Sequence, residues 1–188
     1  MPTIRPHAVH GGPMSSYDDL VDHWGPRNVI HLPIDELPDV ACGPDALPPD
    51  GVLPIEVPSL FTTVVEGPDL RLFSTLNVVV GDEAGVRLVV IGAAPDEPDL
   101  LFCVNPADGS VGLLQMSTGG LEYVNGSLRL FVEFLYEVSR LVAAGYHGEQ
   151  RVGHARRLRT ALVQLDPAAF GDAETWWSIA FDHGLAAR

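Results

Sequence analysis

Two acidic clusters, Asp82-Glu83 and Asp96-Glu97 with Asp99, and seven histidines at 7, 10, 23, 31, 147, 154 and 183 are the side chains here whose types could do chemistry. Paired carboxylates can serve as acid and base in hydrolysis, and clustered imidazoles can hold zinc. The spacing argues against both. The histidines form no H-E-x-x-H, no i, i+4 pair, and no His-x-Glu joined to the P-C-x-x-C of a deaminase zinc site. The carboxylates fall at expected hairpin tips, where acids are common because turns are solvated. Nucleophilic catalysis needs a serine on a sharp turn, but there is no G-x-S-x-G; Gly109-Ser110 fits a hairpin turn and Gly126-Ser127 a helix start. Gly119-Gly120 leads into Leu121-Glu122-Tyr123, and the lysine of a phosphate cradle is missing because the chain has none. Arg156, Arg157 and Arg159 could grip phosphate, yet they lie mostly off a helical apolar stripe and read as a solvated face. Trp176-Trp177 cannot both point into one core, which leaves one to line a groove. No catalytic residue, metal or cofactor is expected.

The elements that would position these residues sort around Tyr123–Leu135. Before it the chain alternates in short segments with turn signals; after it come long runs with helical spacing. Asn125 or Ser127 can cap the helix that follows, and Leu128, Phe131, Val132, Leu135, Val138 and Val142 place one stripe against a sheet. Upstream, residues 1–14 read as a loose arm and 15–188 as a single domain. Ser16 and Asp19 have capping-box spacing for a short helix with Tyr17, Leu20, Val21 and Trp24 on one face, ended by Gly25-Pro26. Asn28–Leu32 reads as a strand. Prolines at 33, 38, 44, 48, 49, 54 and 58 then rule out a regular helix and predict an ordered loop with short extended pieces.

A meander follows: 61–65, 70–74, 76–80, 86–91, 100–105 and 111–116, separated by Gly, Pro and Asp turns. Val78–Val80 and Leu88–Ile91 are nearly continuous apolar runs, as expected of central strands covered on both faces. A second helix carries Val152, Ala155, Leu158, Leu162 and Leu165. Asp166-Pro167 opens another helical turn, and Asp172 can cap a last helix through Trp176, Trp177, Ala180 and Phe181. The predicted class is α+β: an N-terminal helix, an antiparallel sheet of about five or six strands, and C-terminal helices packed on it.

Charge narrows the partners. The net charge is −14, and residues 1–128 hold all of the excess, with 18 acids against 4 arginines; residues 129–188 balance at 7 and 7. Such a surface repels nucleic acid and anionic membranes and attracts a basic protein. No apolar run approaches the ~20 residues that span a bilayer, and no basic start leads into an apolar export segment, so a cytoplasmic protein is expected. Cys42 and Cys103 lack C-x-x-C spacing and read as reduced, buried thiols.

Several pieces, in order, resemble the SUKH superfamily, and within it the fourth subfamily of bacterial immunity proteins: Leu20 with Trp24-Gly25, Gly51-Val52-Leu53-Pro54, and Val104-Asn105-Pro106-Ala107-Asp108-Gly109-Ser110-Val111. Tyr123-Val124-Asn125-Gly126-Ser127-Leu128 with Phe131 and Leu135 is similar to the family's "V-N-x-S-L-x-x-F" helix start, and Asp166-Pro167-Ala168, Glu174 and Trp176-Trp177 resemble its C-terminal end. Gly126 departs from the small polar residue often found there, and the proline-rich 33–58 segment has no counterpart. The resemblance implies a non-catalytic domain that binds and neutralises a toxin delivered between competing bacteria, commonly a nuclease or deaminase. Blocking such an enzyme calls for negative charge where substrate phosphates would lie, which points to Asp82, Glu83, Asp96, Glu97 and Asp99 as the face toward a basic toxin. A ligand-binding or regulatory accessory domain, for instance in a biosynthetic cluster, is the alternative. An apolar pocket would favour that reading, and a convex acidic surface the inhibitor.

Overall fold

Helix α1 (Tyr17–Trp24) starts where Ser16 and Asp19 cap each other: the Ser16 hydroxyl accepts from the Asp19 N–H at 3.3 Å, and the Asp19 carboxylate accepts from the Ser16 N–H at 2.9 Å. It ends at Gly25, whose φ of 87° suits glycine and lets its N–H reach the Val21 carbonyl at 2.8 Å. The computed structural model describes residues 14–33, 44–67, 69–80 and 83–185; the expected N-terminal arm, up to residue 13, lies outside them. Past residue 43 the proline-rich stretch forms 3₁₀ turns at Pro44–Ala46 and Pro49–Gly51, then strands β2 (Val52–Pro54) and β3 (Glu56–Val57). β1 (Val29–His31) pairs antiparallel with β2 and brings the buried Val52 and Leu53 beside α1.

The main sheet is antiparallel, in the order β3-β4-β6-β7-β8-β9, with β5 also on β6. Its further strands are β4 (Phe61–Thr62), β5 (Thr75–Val80), β6 (Glu83–Ala94), β7 (Glu97–Val104), β8 (Val111–Gln115) and β9 (Gly120–Asn125). β6 is its axis. One edge of β6 pairs with β5 and then, at Ala93, with β4; the other pairs with β7 from Val89 onward. Residues before Val89 therefore project past β7 as a two-stranded ribbon with β5. That ribbon curls over the sheet: the Val79 carbonyl stands 3.3 Å from where a Cβ on Gly119 would lie. The curl begins near a register shift between Val90 and Gly92. Gly92 lets β4 approach β6 closely, since a Cβ there would meet Phe61 Cε2 at 2.4 Å and the Thr62 carbonyl at 2.5 Å.

Three strand assignments differ from the sequence pattern. Residues 70–74 turn instead of extending: Phe73 adopts φ 64°, and only its N–H and the Ser74 carbonyl bond to Val90, at 2.7 and 3.0 Å. Val78–Val80 lie on an edge strand, and Val79 is 63% exposed, whereas Leu88–Ile91 are buried on both faces as expected. β9 is the strand the pattern hides. Glu122 sits in mid-strand where an apolar residue would mark the covered face, and its carboxylate accepts from the Trp176 N–H at 2.6 Å.

Each sheet face has its own core. On one side Ile91, Phe102, Val104, Val111, Leu113 and Val124 meet the helices. On the other, Leu88, Val90, Leu101, Cys103 and Leu114 are closed by the curled ribbon and by Val65 and Leu70. Helix α2 (Leu128–Ala143) begins at Ser127, whose hydroxyl accepts from the Leu130 N–H at 3.2 Å; of the two possible caps, Ser127 is the one used. The predicted stripe from Leu128 to Val138 is buried, and Val142 is exposed. More of α2 is covered than one stripe, for residues 131 to 136 are all buried. Phe131 packs on Phe61 and Phe102 of the sheet, Phe134 on Phe170 and Trp177, and Tyr136 on Trp24 of α1. Helix α3 (Gly148–Leu165) buries Ala155, Leu158 and Leu162. A 3₁₀ turn (Pro167–Phe170) and the short α4 (Trp176–Ile179), continued by a wider turn to Leu185, close the chain. Thr175, not Asp172, takes the α4 cap position; Asp172 makes a local turn to the Glu174 N–H at 2.7 Å.

Candidate functional site

Asp82 lies outside the described residues, and Glu83 opens β6 opposite Val80. Asp96, at φ 65°, and Glu97 are exposed in the β6–β7 turn. Asp99 is fixed: its carboxylate accepts from the Ser117 N–H at 2.8 Å and the Ser117 hydroxyl at 2.6 Å, bonds that hold its acid below the ordinary carboxylate value. Ser117 belongs to the same β8–β9 turn as Gly119, which the Val79 carbonyl approaches. The curled β5–β6 ribbon and the Asp99 carboxylate thus border one turn.

A second concave feature lies between α1 and α2. It is a groove of about 430 Å³ lined by Asp19, Asp22, His23, Tyr136 and Arg140. Asp19, His23 and Arg140 already have partners. The Arg140 guanidinium bonds Glu137 at 3.1 Å and lies 5.2 Å from the Tyr136 ring centroid. The Ser139 hydroxyl donates to the Tyr136 carbonyl at 2.8 Å, so His23 Nε2, 2.7 Å away, is the donor to Ser139. Burial, then the charge of Arg140, pushes His23 below its ordinary value and keeps it neutral. Nearby, Glu133 is buried and accepts from the Ser15 N–H at 2.9 Å and the Ser15 hydroxyl at 3.1 Å. Burial pushes its acid above the ordinary carboxylate value.

The third cluster is scaffold. Asp166, 5% exposed, does not cap a helix with its side chain; its Oδ2 accepts from Asn125 Nδ2 at 3.0 Å and the Gly126 N–H at 2.9 Å, and Oδ1 from the Tyr123 hydroxyl at 3.0 Å. Asn125, fully buried, completes the chain by accepting from Trp177 Nε1 at 2.9 Å. Burial, then the negative charge of Asp166, pushes the Tyr123 phenol above its ordinary value. The Tyr123 hydroxyl, Asn125 Nδ2, the Gly126 N–H and Trp177 Nε1 each have an acceptor within the network. It joins the β9–α2 junction to the segments after α3, so Tyr123-Val124-Asn125-Gly126, Asp166-Pro167 and Trp176-Trp177 are one structure in space. Sequence periodicity gives no sign of this; the available signal was two polar residues, Asn125 and Asp166, bordered by core segments.

The other candidates fall into structural roles. Ser110 closes a turn on Asp108, its N–H bonding Oδ1 at 2.9 Å. Arg159 pairs with Asp182 at 3.1 Å, while Arg156 and Arg157 are exposed. Trp177 is fully buried, and Trp176 is half-buried edge-on against Phe102 instead of lining a groove. His31 stacks on Tyr17 and His154 on Tyr146; His7 and His10 lie outside the described residues. Cys103 is buried and its thiol is pushed up to about 12 by burial; Cys42 lies outside the described residues. Among the described residues no three His, Cys, Asp or Glu come together as a group that could hold a metal ion, and no helix is long and apolar enough to cross a membrane.

Comparison with known proteins returns a family model described as SUKH-4 immunity protein, matching residues 16–183. No curated protein and no solved structure matches the chain significantly. The match runs from the cap of α1 to the turn after α4, spanning all the elements that the Asp166 network and the two cores unite. Membership in an immunity family implies a cognate toxin as partner and a role generally without catalysis. The chain belongs to the SUKH-4 immunity protein family.

Proposed function

We propose that this protein protects its cell from the cytoplasm by binding a cognate toxin, of nuclease or deaminase type and basic, through the acidic surface of Asp82, Glu83, Asp96, Glu97 and Asp99, with no chemistry of its own. Residues 15–188 act as one domain in this reading. The observation that supports it best is that the β5–β6 ribbon reaches the β8–β9 turn on which the Asp99 carboxylate of β7 is also held, with Asp96 and Glu97 exposed where β6 passes into β7. Acid placed there mimics substrate phosphates and steers a basic partner at long range. The α1–α2 groove lends little support to a small-ligand domain, because it is open, charged and internally paired instead of apolar.

The test is to sequence the neighbouring genes for a toxin domain, co-express the chain with it, and measure association over a range of salt. Reversing Asp82, Glu83, Asp96, Glu97 and Asp99 to lysine should slow association and flatten its salt dependence. Association rates unchanged by the reversal would overturn the assignment of the face.

A further inference from the structure

Val79 is 63% exposed and Met116 is 40% exposed. They belong to different hairpins. Val79 lies on β5, an edge strand that pairs only with β6 among the described residues, and its carbonyl stands 3.3 Å from the Cβ position of Gly119. Met116 opens the turn that Gly119 closes, with its N–H bonded to the Asp99 carbonyl at 2.9 Å. The curl of the ribbon therefore brings the β5 backbone at Val79 to the turn that Met116 opens, and the Asp99 carboxylate is held on Ser117 of the same turn.

We infer that Val79 and Met116 form the apolar centre of the toxin-docking surface, with the acids as its rim. The occupant is the cognate toxin, presenting an apolar side chain or cleft ringed by arginine or lysine. This deepens the reading given under Proposed function and rests on it. Stable interfaces place an apolar, water-excluding centre inside a polar border, and a few central residues carry most of the affinity while rim charges set the association rate. Charge complementarity selects the occupant. A second copy of this chain would bring two acidic rims together, at −14 per chain, and like charges across an interface are repulsive.

The test places a photo-crosslinking p-benzoylphenylalanine at position 79 or 116 in the native host during toxin exposure. Positions 142 and 179, whose Val142 and Ile179 are each 43% exposed, serve as controls. Positions 79 and 116 should capture the same basic protein, positions 142 and 179 should not, and the capture should vanish in an Asp96→Asn, Glu97→Gln, Asp99→Asn background. With that protein purified, Val79→Ser and Met116→Ser should each raise the dissociation rate roughly tenfold and leave the association rate within about twofold. Thermal melts of both variants guard against misfolding. Capture only at 142 or 179, a crosslinked homodimer, or an unchanged dissociation rate would overturn this inference while leaving toxin binding intact. No adduct from any of the four positions would overturn the binding reading and this inference with it.

Discussion

Replacing Asp166 with alanine isolates the interaction that joins the two halves of the molecule. The change removes the only acceptor, among the described residues, for Asn125 Nδ2 and the Gly126 N–H, bonded now at 3.0 and 2.9 Å; Asn125 is fully buried and the Gly126 bond is partly so. Each buried donor left unpaired costs about 1–3 kcal/mol. The Tyr123 hydroxyl adds little, because Tyr123 is 39% exposed and its O–H can turn to water. Relief of the buried charge offsets part of the loss, so the expected net cost is about 3 kcal/mol, or a fall of about 6–12 °C in Tm at about 2–4 °C per kcal/mol for a chain of this size. Asp166→Asn supplies the control. Both donors use the same oxygen, Oδ2, so an amide that keeps its oxygen there holds them, and its NH₂ can donate to the Tyr123 hydroxyl. Its cost should stay below about 1.5 kcal/mol. Urea unfolding followed by far-UV circular dichroism, with Trp177 fluorescence as a local probe, reads both. An Asp166→Ala cost below about 1 kcal/mol, or an Asp166→Asn variant as damaged as the alanine one, would refute the reasoning.

Phe131→Ala should cost about 3–5 kcal/mol in chemical denaturation, because a fully buried ring in contact with Phe61, Phe102 and Trp177 leaves a cavity between sheet and helix; a cost below about 1 kcal/mol would mean that α2 packs elsewhere. Gly92→Ala should destabilise by about 1–3 kcal/mol or more, since its Cβ would fall 2.4 Å from the Phe61 ring and 2.5 Å from backbone at Thr62, and an unchanged melting temperature would show that β4 does not cross there. Glu133 has a raised folded pKa, so its contribution is fully present below the ordinary value of 4.5 and is lost as pH rises through the raised one. Stability of Glu133→Gln relative to wild type should therefore grow between pH 4 and pH 7, and a difference constant over that range would contradict the burial of its charge.

The sequence by itself determined what depends on neighbours a few residues apart. The Ser16–Asp19 capping box, the stop at Gly25, the Asp and Gly hairpin turns, the stripe on α2 and the balance of acid and base are all legible, because turn geometry, helical spacing and net charge are local or additive. The α+β class and the family resemblance followed from the order of those pieces. β9 was not legible: Glu122 occupies a covered position where only the distant Trp176 N–H satisfies it. For the same reason Asp166 resembled a helix cap, Val78–Val80 resembled a central strand, and Trp176 resembled a groove residue. The tertiary structure decided which buried polar groups find partners across 40 or more residues, as Asp166 does with Asn125 and Gly126. It also decided that the β5–β6 ribbon curls to the β8–β9 turn, bringing the Val79 carbonyl to Gly119. Burial and hydrogen-bond satisfaction are properties of packed surfaces, so no window of sequence contains them.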